Sequence, residues 1–257
     1  MNNNTSSYVV GVDVGGTFTD FFFLDEITGD CKVAKVQTTL NNQAEGFLSG
    51  ILKNVDHVAE IATVLHGTTV GTNALLERKG AKTGIITTEG FRDVLEMRRR
   101  DRPQTWGLWG GYTPVVSRDF RLEVAERTLA DGTIQTTVNQ DEVKHAAQKL
   151  LAAGVESVSI VFINSYANPE NEQTALKIVK ELWPNEFVEI SANILPEIRE
   201  FERTSTTTLN AYLQPTIGNY LAKIEDGLKD KGFNGQLLIV QSNGGVMTVD
   251  TARNLPI

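Results

Sequence analysis

Hydrophobic and polar positions first alternate along this chain and then settle into the longer period of helices. Tyr8 to Val14 is a β-branched run that stops at Gly15-Gly16 and resumes from Phe18 to Leu24, the pattern of two strands joined by a turn. A second turn at Thr28-Gly29-Asp30 leads into Lys32 to Thr38, so a three-stranded meander opens the chain. From Gln43 to Lys53 the spacing changes. Ala44, Phe47, Leu48, Ile51 and Leu52 gather near one face, which predicts an amphipathic helix laid on the sheet. Ile61 to Leu65 is a strand running into His-Gly-Thr-Thr, and Val70 to Lys79 is a helix that Gly80 closes. A strand from Lys82 to Thr87 and a helix from Glu89 to Arg100 repeat the pattern.

Residues 101–119 are rich in glycine, proline and aromatics and read as an ordered surface loop or insertion. Asn139 with Glu142 three residues on forms a capping-box pattern before Val143, Ala146, Ala147, Leu150 and Leu151, and Gly154 closes that helix. Ser157 to Phe162 is a buried strand. Asn168-Pro169 starts a helix that ends before Pro184, and Phe187 to Ser191 returns as a strand. A long helical region from Thr204 to Lys231 is kinked or broken near Pro215, and Gln236 to Gln241 is a strand entering Ser-Asn-Gly-Gly. A meander followed by strands alternating with helices predicts an α/β fold, a mixed sheet flanked by helices. The alternation gives way near residues 190–205, which divides a first lobe, residues 1–195, from the beginning of a second, residues 196–257.

Composition narrows the class. The 257 residues, 40% hydrophobic and 22% charged, suffice for one large or two modest domains and argue against disorder or a fibrous repeat. A net charge of −8 disfavours nucleic-acid binding, which needs a local surplus of Lys and Arg. The start, MNNNTSSYVV, lacks the features of a signal peptide, and no apolar run approaches the roughly 20 residues that span a bilayer, so a cytoplasmic protein without membrane association is expected. One cysteine, Cys31, cannot form an internal disulfide and reads as a packed thiol.

The densest chemistry lies in GVDVGGTFTD, Gly11 to Asp20. A strand that delivers an acidic residue to a double-glycine turn lets backbone N–H groups approach phosphate oxygens, because no Cβ blocks them at Gly15 and Gly16. Thr17 and Thr19 can add hydroxyl donors, Asp13 can hold a hard cation through water, and Asp20 is a second carboxylate on the returning strand. The plainer reading is an ordinary hairpin. HGTTVGTNALL, His66 to Leu76, places His66, Thr68, Thr69 and Asn73 between a strand end and a helix start, where free N–H groups suit an anion. Here the plainer reading is that a threonine caps the helix and His66 is packed.

DVGGTFTD resembles the first phosphate motif of the actin, hexokinase and heat-shock-chaperone ATPases, in the longer form ending in Thr-Asp that is similar to the hydantoinase A/oxoprolinase family. The run HGTTVGTNA resembles that family's HGTT-x-x-TNA segment. Further similar stretches are LLERKGAKTGIITTEGFRDVLEMRR from Leu75, REFERTSTTTLNAYLQP from Arg199 and QSNGG from Gln241. The resemblance implies an actin-like, ribonuclease-H-like ATPase lobe that uses ATP with Mg²⁺ or Mn²⁺. It assigns Asp13 to the metal, Gly15, Gly16, Thr17, Thr19 and Asn73 to the nucleotide, and Asp13, Asp20, His66, Thr68 and Thr69 to catalysis, with His66 facing the cleft.

The function so implied is phosphorylation of a carbonyl or enol oxygen of a cyclic amide, leading to hydrolytic ring opening, with a hydantoinase B-like subunit as partner. Carboxylation of a ketone, small-molecule phosphorylation and a non-catalytic assembly role are the alternatives. The family pattern runs on beyond Asn254-Leu255-Pro256-Ile257 into a second phosphate segment. The 257 residues by themselves are therefore expected to bind nucleotide weakly and not to turn it over.

Two features fall outside that scheme. Arg98, Arg99, Arg100 and Arg102 read as a solvated run at a helix end, with a carboxylate or partner contact as the other option. Trp106, Trp109 and Tyr112 suggest a subunit interface, while His57 and His145 suggest nothing.

Overall fold

The computed structural model of the protein describes residues 8–39, 43–99, 106 and 110–257. In chain order the elements begin with β1 (Tyr8–Val14), β2 (Phe18–Asp25), β3 (Cys31–Gln37), α1 (Gln43–Leu52), β4 (Ile61–Thr68) and α2 (Val70–Leu76). They continue through β5 (Thr83–Thr88), α3 (Val94–Met97), β6 (Arg121–Val124), β7 (Arg127–Thr128), β8 (Ile134–Thr136), α4 (Gln140–Ala152), β9 (Ser157–Val161) and α5 (Glu170–Leu182). The last are β10 (Val188–Ile190), α6 (Ser191–Ile194), α7 (Glu200–Lys229), β11 (Gln236–Val240), β12 (Val246–Thr248) and α8 (Val249–Asn254). No helix among the described residues is long and apolar enough to cross a membrane.

The chain forms two compact units, one of residues 1–77 with 216–256 and the other of residues 78–215 with Ile257. The first holds a six-stranded sheet in the order β12-β11-β4-β1-β2-β3. β1, β4 and β11 run parallel, and β2, β3 and β12 run antiparallel to their neighbours. The expected meander is therefore one half of a mixed sheet. Its two faces differ because alternate residues point to opposite sides. Val10, Val12, Val14, Phe21 and Phe23 are buried with Ala44, Phe47 and Ile51 of α1, whereas Phe18, Phe22 and Val33 are 46, 45 and 77% exposed on the other face. On α1 itself the buried face runs through Gly46 and Gly50, and Leu52, expected inside, is exposed. The reason is contact distance: a Cβ on Gly50 would lie 2.1 Å from the Phe21 ring, so the glycines let the helix approach the sheet.

The second unit holds a wholly parallel sheet, β10-β9-β5-β6, with α4 and α5 against it. Val143, Ala147, Leu150, Val158, Ile160, Ala175, Val179 and Val188 build the core between them. Asn139 caps α4 by accepting from the amides of Asp141 and Glu142, and Gly154 follows at φ +71°. Glu142 does not close the box on the Asn139 amide; its carboxylate accepts from Ala125 N–H and from the Asn139 side chain.

Several local expectations change. The helix predicted to run from Glu89 to Arg100 is only the four-residue α3, followed by Arg98 at φ +52°. α2 ends at Leu76 with Arg78 at φ +54°, and Gly80 is needed for a different reason: a Cβ there would meet the Tyr212 ring at 2.2 Å. α7 is continuous through Pro215, and the Tyr212 carbonyl, in the turn before the proline, accepts from Ala81 N–H at 2.9 Å. Asn168 accepts from Glu170 N–H one residue outside the expected cap geometry, with Pro169 at the cap. Cys31 is an exposed thiol rather than a packed one, since β3 lies at the sheet edge.

The Arg run, where described, is not merely solvated. Arg99 donates two hydrogen bonds to Glu202, and Arg98 stacks 3.6 Å from the Tyr112 ring. Trp106 is 84% exposed. Arg100, Arg102 and Trp109 lie outside the described residues.

The Gly50 contact yields a test. Gly50→Ala gains about 1 kcal/mol of helix propensity but forces a methyl group into Phe21, an overpacking cost of about 1–3 kcal/mol. The variant should therefore unfold at lower urea concentration than the parent. A midpoint unchanged or raised would mean that α1 does not rest on that contact.

Candidate functional site

The parallel strands β1, β4 and β11 bring their carboxyl ends to one edge of the first unit's sheet. At such an edge backbone N–H groups and loop side chains converge, which is where open α/β sheets bind ligands. Three segments meet there: residues 15–17 after β1, residues 67–69 at the end of β4 and residues 241–245 after β11. The registers fix their order, with Asp13 opposite Gly67, Val14 opposite Thr68, and Ile239 opposite His66.

The first turn is held from behind. Gly15 N–H donates to the Phe18 carbonyl at 3.0 Å, Thr38 N–H donates to the Thr17 carbonyl at 2.9 Å, and the Thr38 hydroxyl donates to the Gly15 carbonyl at 3.0 Å. Thr19, expected to offer a donor to a ligand, is fully buried with its hydroxyl 3.0 Å from that of Thr38. It braces the turn. Thr38 itself carried no signal in the sequence.

Gly16 differs from the glycines around it. Its φ is not positive, and a Cβ there would meet nothing within 4 Å, so the protein itself does not require glycine at this position. What the missing side chain keeps clear is the space outside the turn. Gly15, by contrast, is needed internally, because a Cβ would approach the Phe18 carbonyl at 3.1 Å.

Asp13 and Asp20 are cross-strand partners on the open face, and both are exposed. Asp20 pairs with Lys35 at 2.9 Å, a residue the sequence reading passed over. Beside Asp13 the chain has Gly67, whose Cβ would come 3.3 Å from the Asp13 carboxylate. A groove of about 690 Å³ extends from these residues over Gly11, Phe22, Leu65 and Val240. Among the described residues no three or more of His, Cys, Asp and Glu gather as a metal cage. An accessible carboxylate near a strand end fits Mg²⁺, which keeps most of its water and takes one or two protein oxygens.

The second turn is tied to the first. Thr69 donates its N–H and its hydroxyl to the Val14 carbonyl, both at 3.4 Å, and accepts from the Asn73 side chain at 3.2 Å. Thr68 accepts from Val70 N–H at 3.2 Å. Thr69 makes no side-chain cap on α2, which has seven residues, so any anion affinity here rests on the turn and its hydroxyls rather than on a helix dipole. His66 does not face the edge at all. In register with Val12 on the buried face, it is fully enclosed, edge-on to Phe47 at 4.9 Å, with Nε2 2.8 Å from the Tyr220 hydroxyl.

The third turn was noticed in the sequence only as a similar stretch, not as part of a site. Gln241 N–H donates to the Gly245 carbonyl at 2.8 Å and Gly244 N–H to the Gln241 carbonyl at 2.9 Å, with Gly244 at φ +86°.

These turns and their order can be set against known proteins. The hydantoinase/oxoprolinase N-terminal region matches residues 9–183, and the hydantoinase/oxoprolinase domain matches residues 203–257. The chain belongs to the hydantoinase/oxoprolinase family. An uncharacterized protein of Methanocaldococcus jannaschii is 40% identical over 97% of this chain and 37% of its own length. The caprolactamase subunit alpha of Pseudomonas jessenii is 32% identical over 93% of this chain and 36% of its own. The crystal structure of that organism's ATP-dependent caprolactamase superposes with a TM-score of 0.84 at 31% identity, covering 94% of this chain and 36% of that one. A nucleotide-free acetone carboxylase superposes with a TM-score of 0.83 at 30% identity, covering 97% and 38%. The chain thus spans little more than a third of these relatives' length.

Both structural relatives share the α/β fold with its mixed sheet flanked by helices, as the hydantoinase/oxoprolinase resemblance implied. Within that fold, burial lowers the His66 pKa from 6.5 to about 4, against an upward pull from a hydrogen bond to the Val12 backbone. The unfolded chain therefore binds a proton between pH 6.5 and 4 that the folded chain refuses, so stability contributed by neutral His66 is present above pH 6.5 and lost as pH falls. The loss is up to about 3 kcal/mol. Buried Glu126 and Glu172, whose pKa values burial raises, oppose it. Urea unfolding from pH 7 down to 4.5 should thus show a steeper loss for the parent than for His66→Gln. Equal slopes would mean that His66 takes up its proton without disturbing the fold.

Proposed function

We propose that this chain carries the nucleotide-phosphate side of an ATP-dependent subunit that activates a cyclic amide, such as a lactam or hydantoin, for hydrolytic ring opening. The observation that carries the reading is Gly16. At the carboxyl edge of three parallel strands, beside Asp13, the fold holds open a position that no internal contact requires to be glycine. The residues fit the ligand in kind: backbone N–H groups at Gly15, Gly16 and Thr17 for phosphate oxygens, and the Asp13 carboxylate for a hydrated Mg²⁺ or Mn²⁺. ATP, when bound, would supply the phosphoryl group that the substrate carbonyl oxygen accepts as ADP leaves. The turns would orient that group, and Asp13 would keep its metal in register.

Relatives support this range of chemistry. The family includes proteins named caprolactamase, 5-oxoprolinase and acetone and acetophenone carboxylase subunits. Caprolactamase and acetone carboxylase superpose almost equally well, so ketone carboxylation is the second reading. A hydantoinase B-like subunit is the proposed partner in the first case, in keeping with relatives named as subunits. Asp20, held by Lys35, and Thr69, tied to Val14, serve this site by shaping it.

Calorimetric titration with AMP-PNP and Mg²⁺ tests the reading. Gly16→Ala should melt near the parent's temperature, because a Cβ there meets no protein atom within 4 Å, yet bind at least about tenfold more weakly, since a phosphate oxygen must enter the same space. Asp13→Asn should weaken binding in Mg²⁺ far more than in EDTA. If both folded variants bind as the parent does, the turn is an ordinary hairpin.

A further inference from the structure

A single cation stands in the row of carboxylates on the open face. Cross-strand register lines up Lys35 of β3, Asp20 of β2, Asp13 of β1 and Gly67 of β4, all in the first unit and all lining the open groove. Lys35 Nζ lies 2.9 Å from Asp20 Oδ1 and 5.2 Å from the centre of the Phe18 ring, so two neighbours steer the ammonium. Asp13 is placed differently. It has no ion-pair partner among the described residues, and Gly67 leaves its carboxylate open, since a Cβ there would come within 3.3 Å of Oδ1.

Carboxylates directly opposite each other on antiparallel strands repel, because only about 5 Å separates the two positions. A divalent cation would relieve such a pair by taking an oxygen from each. Here Lys35 already relieves it. Two aspartates and one lysine leave the row at −1 instead of −2, with Asp20 committed to the ammonium and Asp13 unpaired. One carboxylate by itself is a poor Mg²⁺ site, because this ion sheds water reluctantly and is held where one or two carboxylates are joined by phosphate oxygens.

We propose that Lys35 is a specificity-determining residue: by holding Asp20 out of the metal position, it makes the strand edge accept a divalent cation together with a phosphate-bearing ligand and reject the cation alone. The inference rests on the phosphate reading given above and adds to it the form in which the metal arrives. Asp20 is then the counter-charge of Lys35 and not a ligand. Without the lysine, a cation bound in advance by both carboxylates would compete with the one that the nucleotide brings.

Charge is what the test must change, and the fold permits it. An exposed ion pair contributes little to stability, so Lys35→Met should melt near the parent's temperature. Mn²⁺ binding to the chain, followed by EPR at low ionic strength without nucleotide, reads the effect. Lys35→Met should bind Mn²⁺ about tenfold more tightly than the parent, the worth of one uncompensated charge about 5 Å from a divalent ion in water. Lys35→Arg should behave as the parent, and adding Asp20→Asn to Lys35→Met should restore the parent's affinity. With Mg²⁺ and AMP-PNP the order should invert, Lys35→Met binding about tenfold more weakly, because the added negative charge meets an anionic complex. Equal Mn²⁺ affinity in the parent and folded Lys35→Met, or a gain that Asp20→Asn does not reverse, would overturn the proposal. So would a nucleotide affinity that Lys35→Met leaves unchanged. Should the parent bind no AMP-PNP, the nucleotide reading fails by itself, and the Mn²⁺ series still decides whether Lys35 withholds Asp20.

Discussion

The parallel pairing of β1 with β4 is the constraint on which the candidate site depends. Neither strand carries a complete site. Register places Asp13 beside Gly67 and Val14 beside Thr68, so the double-glycine turn and the threonine turn emerge at one edge. β11 extends the same arrangement from the other side of β4, although 166 residues lie between Thr69, the end of the threonine turn, and Gln236. A slip of one residue between β1 and β4 would move Asp13 to face the core and bring Val12 out, because strand side chains alternate strictly. The hydrophobic pattern on β1 forbids that slip, with Val10, Val12 and Val14 all buried. Burial on one face therefore fixes the chemistry on the other.

The same alternation explains why two neighbours in HGTT have different fates. Asp13 and Gly67 lie on the open face, which commits Val12 and His66 to the closed one. Motif similarity groups His66 with the threonines because they are adjacent in sequence, but adjacent strand residues face apart. His66 stays inside, with its Nε2 2.8 Å from the Tyr220 hydroxyl. A buried histidine in a site motif is thus an element of the scaffold.

Much of this was legible in the sequence. The hairpin, the parallel strands and both large helices of the second unit follow from β-branched runs, caps and periodicity, and the glycine turns mark the site. Short elements escaped: β6, β7 and β8 have four, two and three residues, too few for any period to register. Partition was also hidden. Strands β5, β9 and β10 belong to a separate parallel sheet, and no linker composition announces where the chain leaves the first sheet and returns to it. Thr19 and Thr38 illustrate the limit for the site itself. Both are threonines near a glycine turn, but only a register across β2 and β3 shows that they grip each other and leave Thr17 outside.

Glycine counts for little until it is asked what each missing Cβ would meet. Gly50 yields to Phe21, Gly80 to Tyr212 and Gly235 to the Ala62 carbonyl, and a further set, including Gly29, Gly132 and Gly154, is required by positive φ. Those positions are explained by the fold. Among the described glycines, Gly11 and Gly71 would make only ordinary contacts, at 3.8 and 3.4 Å, and Gly16 and Gly111 would meet nothing within 4 Å at a φ that is not positive. Gly111 lies exposed outside any helix or strand, so a side chain there changes only the surface. Gly16 lies where three turns converge beside the exposed Asp13 carboxylate, which is the space the proposed phosphate reading uses. The distinction turns a common residue into a directional signal, because it singles out the side of the turn on which a Cβ at Gly16 would meet no atom of the chain.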